Sequence, residues 1–163
     1  MMNIYFFFNN MIRYRKFTPS DASEVFGILE RDRDIAYWCG FGQPASVEQA
    51  RDYLAELSER QYWYAIVKDG RIAGCVSLSP KEDGMELGYW MASGYRRQGL
   101  MKQASRHMLK VAREVIDTKV VYCGWFEGNE ASERLQKGLG FKEYGMAEVP
   151  FATGKEHLTR KDI

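Results

Sequence analysis

The stretch SGYRRQGLMKQA, residues 93–104, decides how this chain is read. Before it runs MELGYWMA (residues 85–92), an apolar alternation of strand type. After it, Leu100, Ala104, Met108, Val111 and Val115 recur at the spacing of one helical face. The junction itself holds two arginines, a glutamine and a glycine. A helix start leaves about four backbone N–H groups unpaired and carries roughly half a positive charge. Set behind a strand and a glycine, such a start is an anion cradle. Gly99 lets backbone come close to a ligand, and Arg96, Arg97 and Lys102 add positive charge around it. The arrangement suits a pyrophosphate.

Bulk composition makes that feature stand out. The chain has 163 residues, enough for one ordinary domain with a real core. Apolar residues are 45% and charged residues 28%, a globular balance rather than a disordered one. Net charge near +1 gives no overall field for nucleic acid or an anionic membrane, so neither is expected as a partner and any anion site is local. Cys39, Cys75 and Cys123 are odd in number and scattered, and His107 and His157 are the only histidines. No metal-ligand spacing results, no metal is expected, and a reducing cytoplasm fits best. The segment IYFFF, residues 4–8, is too short to span a bilayer and lacks the basic flank of a signal peptide. Residues 1–11 read as an N-terminal extension, either disordered or the product of an upstream start, and residues 12–163 as a single domain.

Along that domain, residues 12–17 alternate like a strand. Thr18, Pro19 and Asp21 open a helix whose inward face is Ala22, Val25, Phe26 and Leu29. A loop rich in aromatics follows, with Tyr37, Trp38 and Phe41. Ser46 and Gln49 then form a capping box for a second helix facing inward through Ala50, Tyr53, Leu54 and Leu57. Three strands come next, at 62–68, 71–78 and 85–92, with Asp69-Gly70 and Asp83-Gly84 as hairpin signals. After the long helix, 119–125 is a strand. Asn129 opens a short helix ending near Gly138 and Gly140, and the tail from Tyr144 is a hairpin turning at Thr153-Gly154. The order β-α-α-β-β-β-α-β-α-β-β predicts an α+β domain.

Two nucleotide loops fail on spacing. Neither G-x-x-x-x-G-K-S/T nor G-x-G-x-x-G occurs, and the strands before the junction are hairpin-linked, hence antiparallel. What remains is Arg96-x-x-Gly99-x-Met101 between the third strand of a meander and an amphipathic helix. This closely resembles the acetyl-CoA pyrophosphate loop of the GNAT N-acetyltransferase superfamily, Gln/Arg-x-x-Gly-x-Gly/Ala. The element order from Ile12 onward matches that fold. ELGYWM before the loop and NEASERLQKGLGF after the next strand resemble the Rim-type branch, the ribosomal-protein alanine acetyltransferases and their relatives. The resemblance covers about the whole chain after residue 11. It implies a mixed, largely antiparallel central sheet with helices on both faces. It also implies direct transfer of acetyl from acetyl-CoA to a primary amine, on a protein N-terminus or a small molecule, by a monomer or homodimer.

On that resemblance the backbone of Gln98, Gly99 and Met101, with Arg96, Arg97 and Lys102, holds the pyrophosphate. Backbone N–H groups around Tyr89, Trp90 and Met91 stabilise the oxyanion beside an opening between two strands. Asn129 contacts the pantetheine or pyrophosphate, or simply caps its helix. Ser132 protonates the leaving thiolate, or bonds back to the helix start. Alternation puts Glu86 on one face with Gly88 and Trp90, and Leu87, Tyr89 and Met91 on the other. Glu86 accepts the amine's proton directly or through water, or is a hairpin-end surface charge. Tyr37, Trp38, Phe41, Tyr62 and Trp63 wall the acceptor or pack the core. His107 reads as a side-face residue and Cys123 as a small buried hydrophobe without a histidine partner. Two departures bear on activity: Met101 stands where the family prefers Gly or Ala, and Gln136 where many members carry a general-acid tyrosine. They give some weight to the rival reading, a sensor that keeps the acyl-CoA groove without turnover.

Overall fold

Two tight turns build the centre of the sheet. In the computed structural model, which describes residues 12–163, Asp69 and Gly70 take left-handed φ angles of 51° and 75°. Such a pair matches the right-handed twist of its flanking strands, here β2 (Trp63–Lys68) and β3 (Arg71–Lys81). A second turn through Glu82 and Asp83 leads into β4 (Gly84–Met91), with Lys81 paired to Gly84. Its left-handed residue is Glu82, at φ 47°. The expected Asp83-Gly84 turn therefore lies one residue earlier. Gly84 is a strand residue, and a Cβ there would overlap the Val120 carbonyl, so the glycine serves a close approach of two backbones. The reading of residues 1–11 lies outside the described residues.

Outside β2 lies β1 (Arg13–Arg15), antiparallel to it. On the far side, β5 (Val120–Phe126) runs parallel to β4, and β7 (Lys155–Asp162) and β6 (Lys142–Glu148) follow antiparallel. The order β1-β2-β3-β4-β5-β7-β6 is the mixed, largely antiparallel sheet expected.

Helices cover both faces. α1 (Ala22–Arg31) and α3 (Val47–Glu59) bury Val25, Leu29, Ala50 and Leu54 against Ala65, Cys75 and Trp90. On the other face, α4 (Leu100–Val111) packs Leu100, Ala104 and Met108 on Val76, Leu87, Met91 and Val121. α5 (Glu130–Gly138) lies on that same face, its Gln136 bonded to Thr159 of β7 and its Ser132 to Tyr89 of β4. Period-two alternation along β4 sends Trp90 one way and Leu87 and Met91 the other.

Two further sequence expectations are corrected. The aromatic loop contains a helix, α2 (Asp34–Cys39), closed by Gly40 at φ 71°. Six residues are too few to display a helical period, while the glycine stop is a normal left-handed cap. Val115, expected on the apolar face, is 68% exposed, because the chain winds as a π-turn over Ala112–Ile116. The wider turn rotates it off the stripe. Among the described residues no helix is long and apolar enough to cross a membrane.

Candidate active site

β4 and β5 pair at only two positions, Met85 with Val121 and Glu86 with Tyr122, and then part. The opening starts at Glu86. In the β3–β4 ladder Ala92 N donates to Ala73 O, so the backbone groups of Glu86, Gly88 and Trp90 face β3. Those of Leu87, Tyr89 and Met91 face the opening. The three carbonyls on that edge accept side-chain donors: Leu87 O from Cys123 Sγ (3.3 Å), Tyr89 O from Cys39 Sγ (3.7 Å) and Met91 O from Arg96 Nε (2.9 Å). The N–H groups of Tyr89 and Met91 remain directed into the gap. They are the donors that an extended ligand or an oxyanion requires. Trp90 is not brought there, since its amide faces β3 and its indole is buried in the α1–α3 core.

At the mouth of the opening the chain makes one 3-10 turn, Ser93–Tyr95, then Arg97 and Gly99 take left-handed φ angles of 62° and 76°. α4 begins with no side-chain cap, which leaves its first-turn N–H groups without a side-chain acceptor. No other group lies within 4 Å of where a Gly99 Cβ would stand. Glycine is needed there for φ, and the space above is open. Met101 packs its side chain against the core, so only its amide stays at the helix start. Gln98 bonds through its side chain to Lys68 (3.0 Å) and Gly94 O (3.2 Å). Arg97 and Lys102 are exposed and make no ion pair among the described residues.

Arg96 behaves differently from its neighbours. Besides Met91 O, it binds Asp34 of α2 at 2.8 Å. Beside it, buried Asp32 accepts from Ser93 N (2.8 Å) and Ser93 Oγ (2.6 Å). Burial works to raise the Asp32 pKa, but the two Ser93 bonds outweigh it and hold the carboxyl below the usual range. The cation expected on the phosphate is thus an internal staple between the cofactor-side loop and α2.

α5 supplies hydroxyl chemistry. Asn129 Oδ1 caps it by accepting from Ser132 N at 3.2 Å. Ser132 Oγ lies 2.5 Å from the Tyr89 hydroxyl. Gln136, 1% exposed, accepts from Thr159 Oγ1 (2.7 Å), which fixes the orientation of its amide. Its Nε2 then donates to Gly124 O (2.7 Å), Tyr89 OH (2.9 Å) and Ser132 Oγ (3.1 Å). Burial pushes the Tyr89 phenol well above its ordinary pKa, so it stays protonated at neutral pH. Gln136 acts only as donor to the two hydroxyls. One hydroxyl bonds the other, and one hydrogen is left over. The sequence reading gave Tyr89 a backbone part and missed its phenol, although alternation already aimed that side chain at the α5 face.

On the α1–α3 face the opening is flanked by Gly88 of β4 and Gly124 of β5, whose missing side chains leave room for Ser77 Oγ and the Glu156 carboxylate. Glu86 pairs with Lys81 at 3.0 Å. Burial works to lower the Lys81 pKa, and Glu86 more than reverses it. From α2, Trp38 reaches across to Gly128, and Tyr37 packs edge-on against it at 4.9 Å. Phe126 meets Phe151 at 5.3 Å. The other aromatics pack elsewhere: Phe41 stacks on Tyr53, Trp63 donates to Ser79, and Tyr62 joins the opposite core. His107 stacks on Tyr14, away from the opening. Cys123 is buried, and burial drives its thiol up to about 12, so it carries no thiolate for a covalent route at neutral pH. A second carboxylate, Glu156 of β7, was missed in the sequence. It lies against Gly124, where a Cβ would overlap its Oε1. The isolated glycine inside VVYCGWF was the available signal of a close approach.

Known proteins align with these features. The acetyltransferase (GNAT) domain pattern matches residues 12–142. A putative ribosomal N-acetyltransferase, YdaF of Bacillus subtilis (strain 168), is 27% identical over 150 residues, covering 85% of this chain and 82% of the relative. Among solved structures, RimL in complex with coenzyme A superposes with a TM-score of 0.84 at 18% identity, over 94% of this chain and 95% of that one. A ribosomal-protein alanine acetyltransferase from Vibrio fischeri gives 0.79 at 22% identity, over 96% and 95%. These structures share the fold.

Proposed function

The chain belongs to the acetyltransferase (GNAT) domain family, whose donor is acetyl-CoA, and from that premise we propose that its acceptor is the terminal α-amine of a protein. The observation that carries this reading is the parting of β4 and β5 after two paired positions, which leaves the Tyr89 and Met91 amides on an unpaired edge. Acetyl-CoA lies along it from the α4 side, and the amine arrives on the other face, over Gly88 and Gly124, where Glu156 lies. Trp38 and Phe126 suit an acceptor with an apolar stem behind its amine. The relative named as a putative ribosomal N-acetyltransferase supports a protein N-terminus.

In this reading the amides at the start of α4, the Gln98–Gly99 backbone, Arg97 and Lys102 hold the pyrophosphate. Arg96 positions that loop through Asp34. The Tyr89 and Met91 N–H groups receive the oxyanion, a contribution of about 3–4 kcal/mol per donor in other enzymes. Asn129 keeps Oδ1 on its cap and offers Nδ2 to the pantetheine. Ser132, backed by Tyr89, gives a proton to the departing sulfur, a gain on the order of 10²-fold. Glu86, already paired with Lys81, supplies negative charge at the root of the opening and draws the ammonium form of the acceptor.

Thiol release from acetyl-CoA over a panel of amines tests the acceptor. Peptides beginning with alanine or serine are expected to exceed spermidine and an aminoglycoside by at least about tenfold in kcat/KM, roughly 1.4 kcal/mol of discrimination. A polyamine or amino sugar in first place would overturn the protein N-terminus and leave the chemistry standing.

A further inference from the structure

We propose that Glu156 on β7 is the group that removes the acceptor's proton. The proposal rests on the acetyl-transfer reading above and adds a residue to it. Three observations converge on this carboxylate. First, it leans across β5 at the one position of that strand's middle with no side chain: a Cβ at Gly124 would overlap Glu156 Oε1. The register pairs Phe126 with Glu156 and Gly124 with Leu158, so the glutamate bends back along the strand over the floor of the opening. Second, Glu86, at the root of the opening, is held by Lys81 at 3.0 Å. Glu156 makes no side-chain hydrogen bond or ion pair among the described residues, although half-buried. Third, partial burial raises its pKa, and the nearby negative charge of Glu86 raises it further, with Lys81 opposing. A carboxylate so perturbed is a better base at neutral pH than an ordinary one.

The charged and titratable surroundings fit this division of labour. Glu86 of β4 and Lys81 of β3 act on Glu156 directly. Cys123 of β5 feels it from the other face, and Tyr144 of β6 shares Lys81 with it. The next residue on its strand, His157, is turned away, stacked on Trp125 and bonded to Glu143.

The proton balance is explicit. The ammonium loses one proton to Glu156, which passes it to solvent. The freed lone pair forms the C–N bond at the thioester carbon. As the C–S bond breaks, the sulfur takes a proton through Ser132, and the second nitrogen proton leaves to balance it.

The test is the pH dependence of kcat/KM for a peptide beginning with alanine or serine. Wild type is expected to lose activity toward acid as Glu156 protonates. Glu156→Gln is expected to lower kcat on the order of 10²-fold or more and to erase that limb, with acetyl-CoA affinity within about twofold by calorimetry. Gly124→Ala displaces the same carboxylate without altering it, and is expected to weaken the limb in parallel. Glu86→Gln is expected to raise the acceptor KM and keep the limb. If Glu156→Gln or Gly124→Ala binds acetyl-CoA and retains both kcat and the acid limb, Glu156 is not the base. If wild type binds acetyl-CoA but releases no thiol with any amine, the acetyl-transfer reading itself falls, and this assignment with it.

Discussion

At the scale of single residues, Ser132 and Tyr89 make the sharpest test, because their hydroxyls lie 2.5 Å apart and share one amide donor, Gln136 Nε2. Ser132→Ala is expected to cut kcat on the order of 10²-fold, while Tyr89→Phe, which leaves the serine in place, costs less. Both are expected to leave acetyl-CoA affinity nearly intact, measured by calorimetry beside single-turnover rates. Equal loss in kcat and affinity would move the pair from proton delivery to cofactor binding. Gly99 tests the other end of the opening. Its φ of 76° is strained for any L side chain, yet nothing crowds the site. Gly99→Ala is therefore expected to cost about 1–2 kcal/mol in urea unfolding and to raise the KM for acetyl-CoA. Gly94→Ala, equally uncrowded and without a positive φ, is the control that is expected to change neither.

At the scale of elements, Asp32 and Asp34 tie the α1–α2 corner to the loop ahead of α4. The Asp32 carboxyl is held below its unfolded value near 3.9. Its stabilisation is therefore full above about pH 4 and is lost as pH falls through the lower folded value. Asp32→Asn is expected to cost about 1–3 kcal/mol at pH 7, the range for hydrogen bonds to a buried charged group. Its stability curve is expected to fall less steeply below about pH 4 than that of wild type. Parallel acid curves would assign the acid sensitivity elsewhere, Asp21 with its Arg15 partner being the next such carboxyl. This staple was not legible in the sequence. Arg96 occupied the matched loop and read as a phosphate ligand, and nothing local said that Asp34, 62 residues earlier in another helix, would pair with it. The elements themselves were legible because their signals are local: the caps at Thr18, Ser46 and Asn129, the Asp69-Gly70 turn, and the alternation along β4. Where the signal was too short or irregular, as in α2 and the π-turn at Ala112–Ile116, the expectation failed.

For the whole molecule, the sheet consists of two parts joined along a short seam. β1–β4 form one part and β5, β7 and β6 the other, and two residue pairs join them before the opening. The opening was expected from the family resemblance, but its neighbour was not legible, since strand order places β7 between β5 and β6 and only a folded sheet brings Glu156 to Gly124. Beyond the seam, side chains bridge the gap: Cys123 to Leu87, Gln136 and Ser132 to Tyr89. A ligand lying in the opening bonds to an edge that otherwise carries unpaired amides, so its binding energy adds to folding stability. At about one hundred times its dissociation constant, acetyl-CoA adds about 2.7 kcal/mol. For a domain of this size that corresponds to a rise in Tm of about 5–10 °C. Arg97→Ala with Lys102→Ala is expected to shrink the rise at fixed ligand concentration, because the pyrophosphate end is held less tightly. Amide hydrogen exchange then locates the ligand. Bound acetyl-CoA is expected to slow exchange at Tyr89 and Met91 as well as at the first turn of α4. Protection confined to α4 would mean that the diphosphate is gripped while the pantetheine lies outside the sheet, and the opening would no longer be the place where the two substrates meet.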